Sequence, residues 1–203
     1  MTEDHAHYLL TPRYQRAGLQ RGFTLVELMI GIAIVAMALM MGIPSLGAWI
    51  QSSQIRNASE SIVSGLQLAR AEAVTRNTKV QFVLSSLAGG GVASDWTVRC
   101  DTPTVDCPGI GMTKTEIQKR SASEGSANAQ VVAGQSTIVF SGIGRVTPTP
   151  VTDPIILDIT NPTGGSCAAS SGTMRCLRIS VSAGGQVRMC DPALSVLTNP
   201  RGC

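Results

Sequence analysis

Glu27 is the only charged residue between Phe23 and Ile50, in a stretch that is otherwise dominated by apolar side chains. A lone carboxylate costs about 3 kcal/mol at the centre of a membrane helix, so its presence there points to a function. In an apolar environment, a carboxylate either takes up a proton or binds a cation within hydrogen-bonding distance. The structural alternative is a side chain that extends to the membrane interface from one turn inside the helix. If Glu27 has a function within the apolar stretch, we expect its carboxylate to have a cationic partner.

The residues at the start of this stretch resemble a known processing motif. Type IV pilins and related pseudopilins carry a prepilin-peptidase site that resembles residues 21–27, RGFTLVE. The resemblance implies cleavage between Gly22 and Phe23 by prepilin peptidase, followed by N-methylation of Phe23. It also implies that Glu27 pairs with the methylated amine of a neighbouring subunit, which would fix the axial register of a filament during assembly.

An ordinary secretory signal peptide is the competing interpretation of the apolar stretch. Such a peptide would be removed at a small-residue site, for which Gly47-Ala48 would serve. No charge occurs from Leu28 to Ile50, and this length reaches the roughly 20 residues that a bilayer crossing needs. The length of the stretch and the presence of Glu27 and Thr24 at its start therefore favour a helix that is retained.

The chain has 203 residues, enough for one membrane helix and one globular head. We expect a cleaved prepilin leader at 1–22, a transmembrane and filament-core helix at 23–50, and a periplasmic or extracellular α+β head at 51–203. Arginines in the leader predict a cytoplasmic N-terminus. The expected location is therefore the inner membrane, crossed once with the head in the periplasm, and afterwards the pilus at the cell surface.

Beyond residue 50, the apolar residues follow one helical stripe, formed by Ile55, Ile62, Leu66, Ala69 and Ala73. Pro44 is expected to kink or loosen the helix, and Asn77 to end it in a left-handed cap. After Asn77 the period becomes two, which predicts short strands. We place them at 79–84, 96–98, 113–119, 137–140, 155–157, 174–181 and 186–189, with a Gly-rich loop at 88–94 and a hairpin turn at 183–185. The predicted fold class is α+β, a long N-terminal helix packed on a small antiparallel β head, as in type IV pilins.

Six cysteines lie in the expected head, and none of them forms a C-x-x-C pair. An even number in an exported, loop-rich segment predicts disulfides, for which six cysteines allow fifteen connectivities. The sequential pairing is favoured because each bond would close a short loop rich in Pro, Gly or Ser. It joins Cys100 to Cys107, Cys167 to Cys176, and Cys190 to Cys203.

Catalysis has little support in the sequence. Both histidines, His5 and His7, lie in the expected leader, so the processed chain would have no His as general base or metal ligand. The glycines at 89–91 lack the Lys and the following helix of a phosphate-binding loop. We therefore expect no enzyme activity, no cofactor and no metal site.

Four further segments narrow the resemblance within the pilin class. Residues 66–77, 140–145, 185–192 and 200–203 are similar to the FimT/FimU and GspH group of minor pilins. This implies a minor type IV pilin that takes part in priming pilus assembly and sits at or near the pilus tip. The implied partners are prepilin peptidase, other minor pilins, the major pilin and the inner membrane.

Two other functions stay open at this point. FimT-like proteins of some naturally transformable bacteria bind DNA through a basic Gly-Arg-x-Arg element, but here Gln186 replaces the first Arg. The formal net charge of +3 is also low for a dedicated nucleic-acid binder. A salt-sensitive patch would need arginines that converge in the fold, with Arg188, Arg145 and Arg201 as candidate DNA contacts beside Arg175 and Arg178. The second alternative is a type II secretion pseudopilin of the H type.

Overall fold

The computed structural model describes residues 22–86, 92–101, 116–148 and 154–203. Helix α1 runs Leu25–Arg76, and the described residues that follow it form strands and two short 3-10 helices, Pro162–Gly164 and Ala168–Ser170. The strands are β1 (Val80–Ser86), β2 (Val92–Cys100), β3 (Glu116–Arg120), β4 (Gln130–Ala133), β5 (Thr137–Phe140), β6 (Ile155–Thr160), β7 (Leu177–Val181) and β8 (Val187–Cys190).

The chain divides into two compact units, Met1–Gly42 and Ile43–Cys203. In the first unit, the described part of α1 exposes its large apolar side chains from Leu25 to Met40. Within the described residues, we find no helix with both the length and the hydropathy that a membrane crossing requires.

The head of the second unit contains one eight-stranded sheet in the order β5-β1-β2-β4-β6-β7-β8, with β3 paired to β2. All the strand pairs are antiparallel, as predicted. Strand β2 is central because its first residues pair with β4 and its later residues pair with β3. Strand β8 ends one side of the sheet and leads into the C-terminal segment 191–203.

The second half of α1 packs on one face of this sheet. The predicted stripe is correct: the five side chains Ile55, Ile62, Leu66, Ala69 and Ala73 are all fully buried. Alternate strand residues meet them from the sheet, because successive side chains of a strand point to opposite faces. The largest of these sheet residues are Trp96, Phe82, Phe140, Ile138, Leu157, Ile159 and Ile179. The predicted helix end is confirmed, since Asn77 has a φ of 48°.

The strand predictions were wrong in three places. Strand β2 begins at Val92, within the loop predicted for 88–94, and β4 at Gln130–Ala133 was not predicted. Strand β7 begins at Leu177 rather than at 174, because Met174 instead bridges to Cys167. Part of the predicted 113–119 strand lies outside the described residues, as do residues 88–91 of the predicted loop. Helix α1 is continuous through position 44, and the kink expected there stays a prediction.

Candidate assembly site

The start of α1 places an exposed carboxylate one turn from an exposed aromatic residue. Thr24 caps the helix, since its Oγ1 accepts a hydrogen bond from the backbone N–H of Glu27 at 3.2 Å. Glu27 thus lies in the first turn, where the positive end of the helix dipole favours a negative charge. Phe23 is 85% exposed, and Gly22 has open space around its Cα. The carboxylate and the residue that precedes the cap are both free to meet another molecule.

Two of the three expected disulfides lie wholly in the described residues, and both are present. Cys167–Cys176 joins the segment before the second 3-10 helix to the start of β7, and Cys190–Cys203 joins the end of β8 to the C-terminus. Cys100 is also disulfide-bonded. Its expected partner, Cys107, lies outside the described residues. The Cys190–Cys203 bond holds the C-terminal segment against the sheet.

The three candidate DNA contacts are exposed, and two of them lie at or beside the C-terminal segment. Arg188 lies in β8 and donates a hydrogen bond from Nη2 to the carbonyl oxygen of Gly202 at 3.3 Å. Arg201 is next to Gly202 in the C-terminal segment. Arg145 lies in the turn before Val146, whose N–H bonds the carbonyl of Ala183 at the β7–β8 turn. Arg188 therefore lies beside the C-terminal segment that contains Arg201, whereas Arg145 lies beside the β7–β8 hairpin turn.

The remaining two arginines of the proposed patch are ion-paired. Arg175 Nε lies 2.7 Å from a carboxylate oxygen of Asp191, which is buried. Arg178 makes two hydrogen bonds to Asp158, at 2.6 and 3.0 Å. The hydrogen bond to Asp158 raises the pKa of Arg178 above its ordinary value, and this pairing offsets its charge. Charge for a DNA-binding patch is therefore reduced at two of five positions.

Within the described residues, no group of three or more His, Cys, Asp or Glu side chains could hold a metal ion. The described residues offer groups suited to recognition, namely an exposed carboxylate on a helix, loops closed by disulfides, and exposed arginines. A family profile described as Type II transport protein GspH matches residues 58–185, more than half of the chain. The chain belongs to the GspH family.

A second profile, the prokaryotic N-terminal methylation motif, matches residues 18–43 of this GspH-family chain. The motif implies processing by prepilin peptidase and partners that are pilins or pseudopilins. Proteins of this kind are membrane-anchored structural subunits of pili or pseudopili, and they are not enzymes.

Solved structures of two such subunits are similar to this chain. The type IV minor pilin FimU of Pseudomonas aeruginosa is 15% identical, with a TM-score of 0.48 over 66% of this chain and 87% of that chain. The minor pseudopilin EpsH from the type 2 secretion system of Vibrio cholerae is 13% identical, with a TM-score of 0.45 over 70% of this chain and 99% of that chain. A search of the curated proteins found no match.

Sequence reasoning missed the amide contacts that join α1 to the head loops. Asn161, which is fully buried, donates from Nδ2 to Gln51 Oε1 at 2.7 Å. Asn128 uses its backbone N–H to bond Gln54 Oε1 at 3.0 Å, and Asn57 bonds the carbonyl of Gly125 at 3.2 Å. Their partners are more than sixty residues apart in sequence, so no local pattern could have indicated them. These bonds attach residues 51–57 of α1 to the loops of the head.

Proposed function

We propose that this GspH-family protein is a minor type IV pilin that takes part in priming pilus assembly and sits at or near the pilus tip. One observation carries the proposal: Glu27 stands one turn from Phe23 on a helix whose apolar side chains are exposed from Leu25 to Met40. An exposed apolar surface of this extent is typical of an interaction site. This apolar surface is buried in a membrane before assembly and against other pilins afterwards.

The proposed mechanism begins with hydrolysis of the Gly22–Phe23 peptide bond, which gives Phe23 a free amine that is then N-methylated. In the filament, the Glu27 carboxylate of one subunit pairs with the amine of its neighbour. Removing one partner of a buried ion pair leaves an uncompensated charge and costs about 3–5 kcal/mol, so the pair selects one axial register. Apolar contacts along the first half of α1 supply adhesion without direction.

The proposed partners are prepilin peptidase, other minor pilins, the major pilin and the inner membrane, in which the helix at 23–50 is held before assembly. The head at 51–203 then faces the periplasm and later the cell surface. DNA ranks below these partners because Arg175 and Arg178 are already engaged by Asp191 and Asp158.

A pseudopilin of a type II secretion system is the second candidate. The observation that favours it is the match to the type II transport protein profile over residues 58–185. Both candidates use the same N-terminal chemistry. They differ in what the subunits assemble into, which is a surface pilus for one and a secretion pseudopilus for the other. A secretion role predicts that loss of this protein stops export of a secreted enzyme and leaves surface pili intact.

The deciding experiment counts surface pili by electron microscopy in a deletion strain, and assays secreted enzyme activity in the same cultures. Loss of pili that is restored by the wild-type gene, with secretion unchanged, supports the minor-pilin role. Normal pili together with a loss of secretion would instead support the role of a type II secretion pseudopilin. A gel shift of the full-length protein with DNA at low and high salt tests the third function, since phosphate contacts weaken as salt rises.

A further inference from the structure

A groove of about 770 Å³ lies beside the C-terminal segment of the head. One wall is a single helical face, because Trp49, Ser52, Ser53 and Arg56 recur at spacings of three, one and three on α1. The other walls are formed by Arg175 just before β7 and by residues of β7, β8 and the C-terminal segment, namely Leu177, Met189, Cys190, Asp191, Pro200 and Arg201. Trp49 is 68% exposed, so a large apolar surface stands open at its entrance.

The charges on the groove walls are unbalanced. Three of the described lining residues are arginines, and Asp191 is the only acidic residue in that described lining. Arg56 is already paired with Glu60 on the same helix, with Nε 2.8 Å from Oε1. Asp191 is already engaged, since its carboxylate binds Arg175 at 2.7 Å and also accepts the backbone N–H of Ala193 at 2.9 Å. The guanidinium of Arg201 has no hydrogen-bond or ion-pair partner in the described part of the chain. The walls therefore favour a ligand that carries carboxylates.

The groove also borders the free side of an edge strand. In antiparallel pairs, alternate residues bond the neighbouring strand, and the Ser182 N–H bond to the carbonyl of Gln186 sets this alternation for β8. Met189 therefore turns its N–H and C=O away from β7. Asp191, two residues further on, uses its own outward N–H and C=O to bond Arg201 and Cys203. The C-terminal segment thus occupies one position of the edge and leaves the Met189 position open.

We propose that this groove binds an extended acidic segment of a neighbouring pilin-type subunit, which adds to the edge of β8. Main-chain hydrogen bonds at Met189 would supply affinity, as in other cases of strand addition, and side chains of alternate residues would supply specificity. Carboxylates of the segment would meet Arg201, while its apolar side chains would cover Trp49. The identity of the occupant as a pilin rests on the proposed function, whereas the chemistry of the groove does not.

The chemistry is tested with full-length protein in detergent micelles and fluorescein-labelled peptides, by fluorescence anisotropy. The probe is the capped peptide Val-Glu-Val-Glu-Val-Glu, and its matched control is Val-Lys-Val-Lys-Val-Lys. We expect binding of the acidic peptide alone, weakened at least about tenfold by Arg201→Glu. Arg145→Glu makes the same charge change on an exposed arginine outside the groove and should leave binding unchanged.

The strand-addition geometry is tested at Met189. Met189→Pro removes the outward N–H but no bond to β7, and proline is tolerated on edge strands. Met189→Ala keeps the backbone donor and removes only side-chain contact. We expect Met189→Pro to weaken the acidic peptide about tenfold more than Met189→Ala does, with the two variants showing equal thermal midpoints. Three results would each overturn the proposal. They are equal binding by the two variants, no binding by the wild type, and competition by a DNA oligonucleotide that Arg201→Glu relieves.

The occupant is identified in cells by a photo-crosslinking residue at position 189, with position 119 on the exposed part of β3 as the control. We expect crosslinks from 189 that map by mass spectrometry to an acidic segment of a pilin-type chain. If Glu27→Val strains lose their pili but position 189 reaches no pilin, the groove proposal fails and the assembly role stands. If the peptides bind as expected while Glu27→Val strains assemble pili normally, the assembly role fails and the groove chemistry stands.

Discussion

Thr24 and Glu27 are joined by a hydrogen bond that closes the first turn of α1, with Oγ1 of Thr24 accepting the backbone N–H of Glu27 at 3.2 Å. A capping Thr and a Glu three positions later form the arrangement known as a capping box. Position 27 can therefore contribute locally to the start of the helix as well as between subunits. The proposed intersubunit role requires the charge of Glu27, whereas helix capping requires only a hydrogen-bonding side chain.

Glu27→Gln separates these two roles. Gln is accepted in a capping box but cannot pair with a methylated amine as an ion, so we expect assembly to be lost as severely as in Glu27→Val. Thr24→Ala removes the cap, costs about 1 kcal/mol of helix stability, and should reduce piliation only mildly. Pili are counted by electron microscopy at equal protein levels. Wild-type pilus numbers in Glu27→Gln cells would assign position 27 to capping.

Gly22→Val should block removal of the leader, because prepilin peptidase is proposed to cut after a residue without a side chain. In the structure, a Cβ at position 22 meets nothing within 4 Å, so the substitution causes no steric clash within the chain. The measurement is the intact mass of the protein purified from membranes, with Gly31→Val as a control at another uncrowded glycine of the same unit. A Gly22→Val protein that starts at Phe23 would contradict the assigned cleavage site.

The helix could be predicted from the sequence because its signals are local. The stripe from Ile55 to Ala73 follows the helical period over five turns, and Asn77 is a residue type that accepts the left-handed conformation observed there. The disulfides at 167–176 and 190–203 were also predictable, since each closes a loop of only 9 or 13 residues.

The sheet edges and the groove could not be predicted in the same way. Strand β4 has four residues, with adjacent valines of which Val131 is buried and Val132 is 61% exposed, so no alternation distinguishes it from a loop. Its strand character comes from pairing with β2 and β6, which are distant in sequence. Likewise, the local sequence around Arg175 does not indicate its ion pair with Asp191, which is sixteen residues away. Such partnerships depend on the whole fold rather than on a window of residues.

Trp96 donates its indole N–H to the hydroxyl of Ser61 at 2.8 Å, and both residues are buried between α1 and β2. Ser61→Ala leaves that N–H without its partner, so we expect a loss of about 1–3 kcal/mol in the free energy of unfolding. In a Trp96→Phe background, which has no indole N–H, the same substitution should cost much less. Urea denaturation of the four proteins gives the coupling energy, and a value near zero would show that the bond contributes nothing.

The Cys190–Cys203 disulfide should stabilise the head and hold one wall of the groove. A loop of 13 residues corresponds to roughly 3 kcal/mol in the chain-entropy account of disulfides. The double variant Cys190→Ser/Cys203→Ser should therefore lower the thermal midpoint and also loosen the Asp191–Arg201 backbone bond. Amide hydrogen exchange at Asp191 measures the second effect. The matching pair Cys167→Ser/Cys176→Ser should lower stability as well, but should leave exchange at Asp191 unchanged.

Gly65 lies where α1 packs tightly against two aromatic rings of the sheet. A Cβ built at this position would be 2.7 Å from Cε2 of Phe82 and 3.0 Å from the indole of Trp96, so both rings would have to move. Overpacking of this kind costs about 1–3 kcal/mol, whereas replacing a helical Gly by Ala gains at most about 1 kcal/mol. Gly65→Ala should therefore destabilise the head, and Gly65→Val should do so more strongly.

The control is Ser64→Ala, one residue earlier on the exposed side of the same helix, where only helix propensity changes. Ser64→Ala should be neutral or slightly stabilising in urea denaturation, with an unchanged slope. If Gly65→Ala raised the unfolding midpoint as Ser64→Ala does, the helix could not lie against Phe82 and Trp96 at the observed distance. The close approach explains why α1 contains at position 65 a residue that is otherwise unfavourable inside a helix, since only Gly brings the backbone of α1 this near to the two rings.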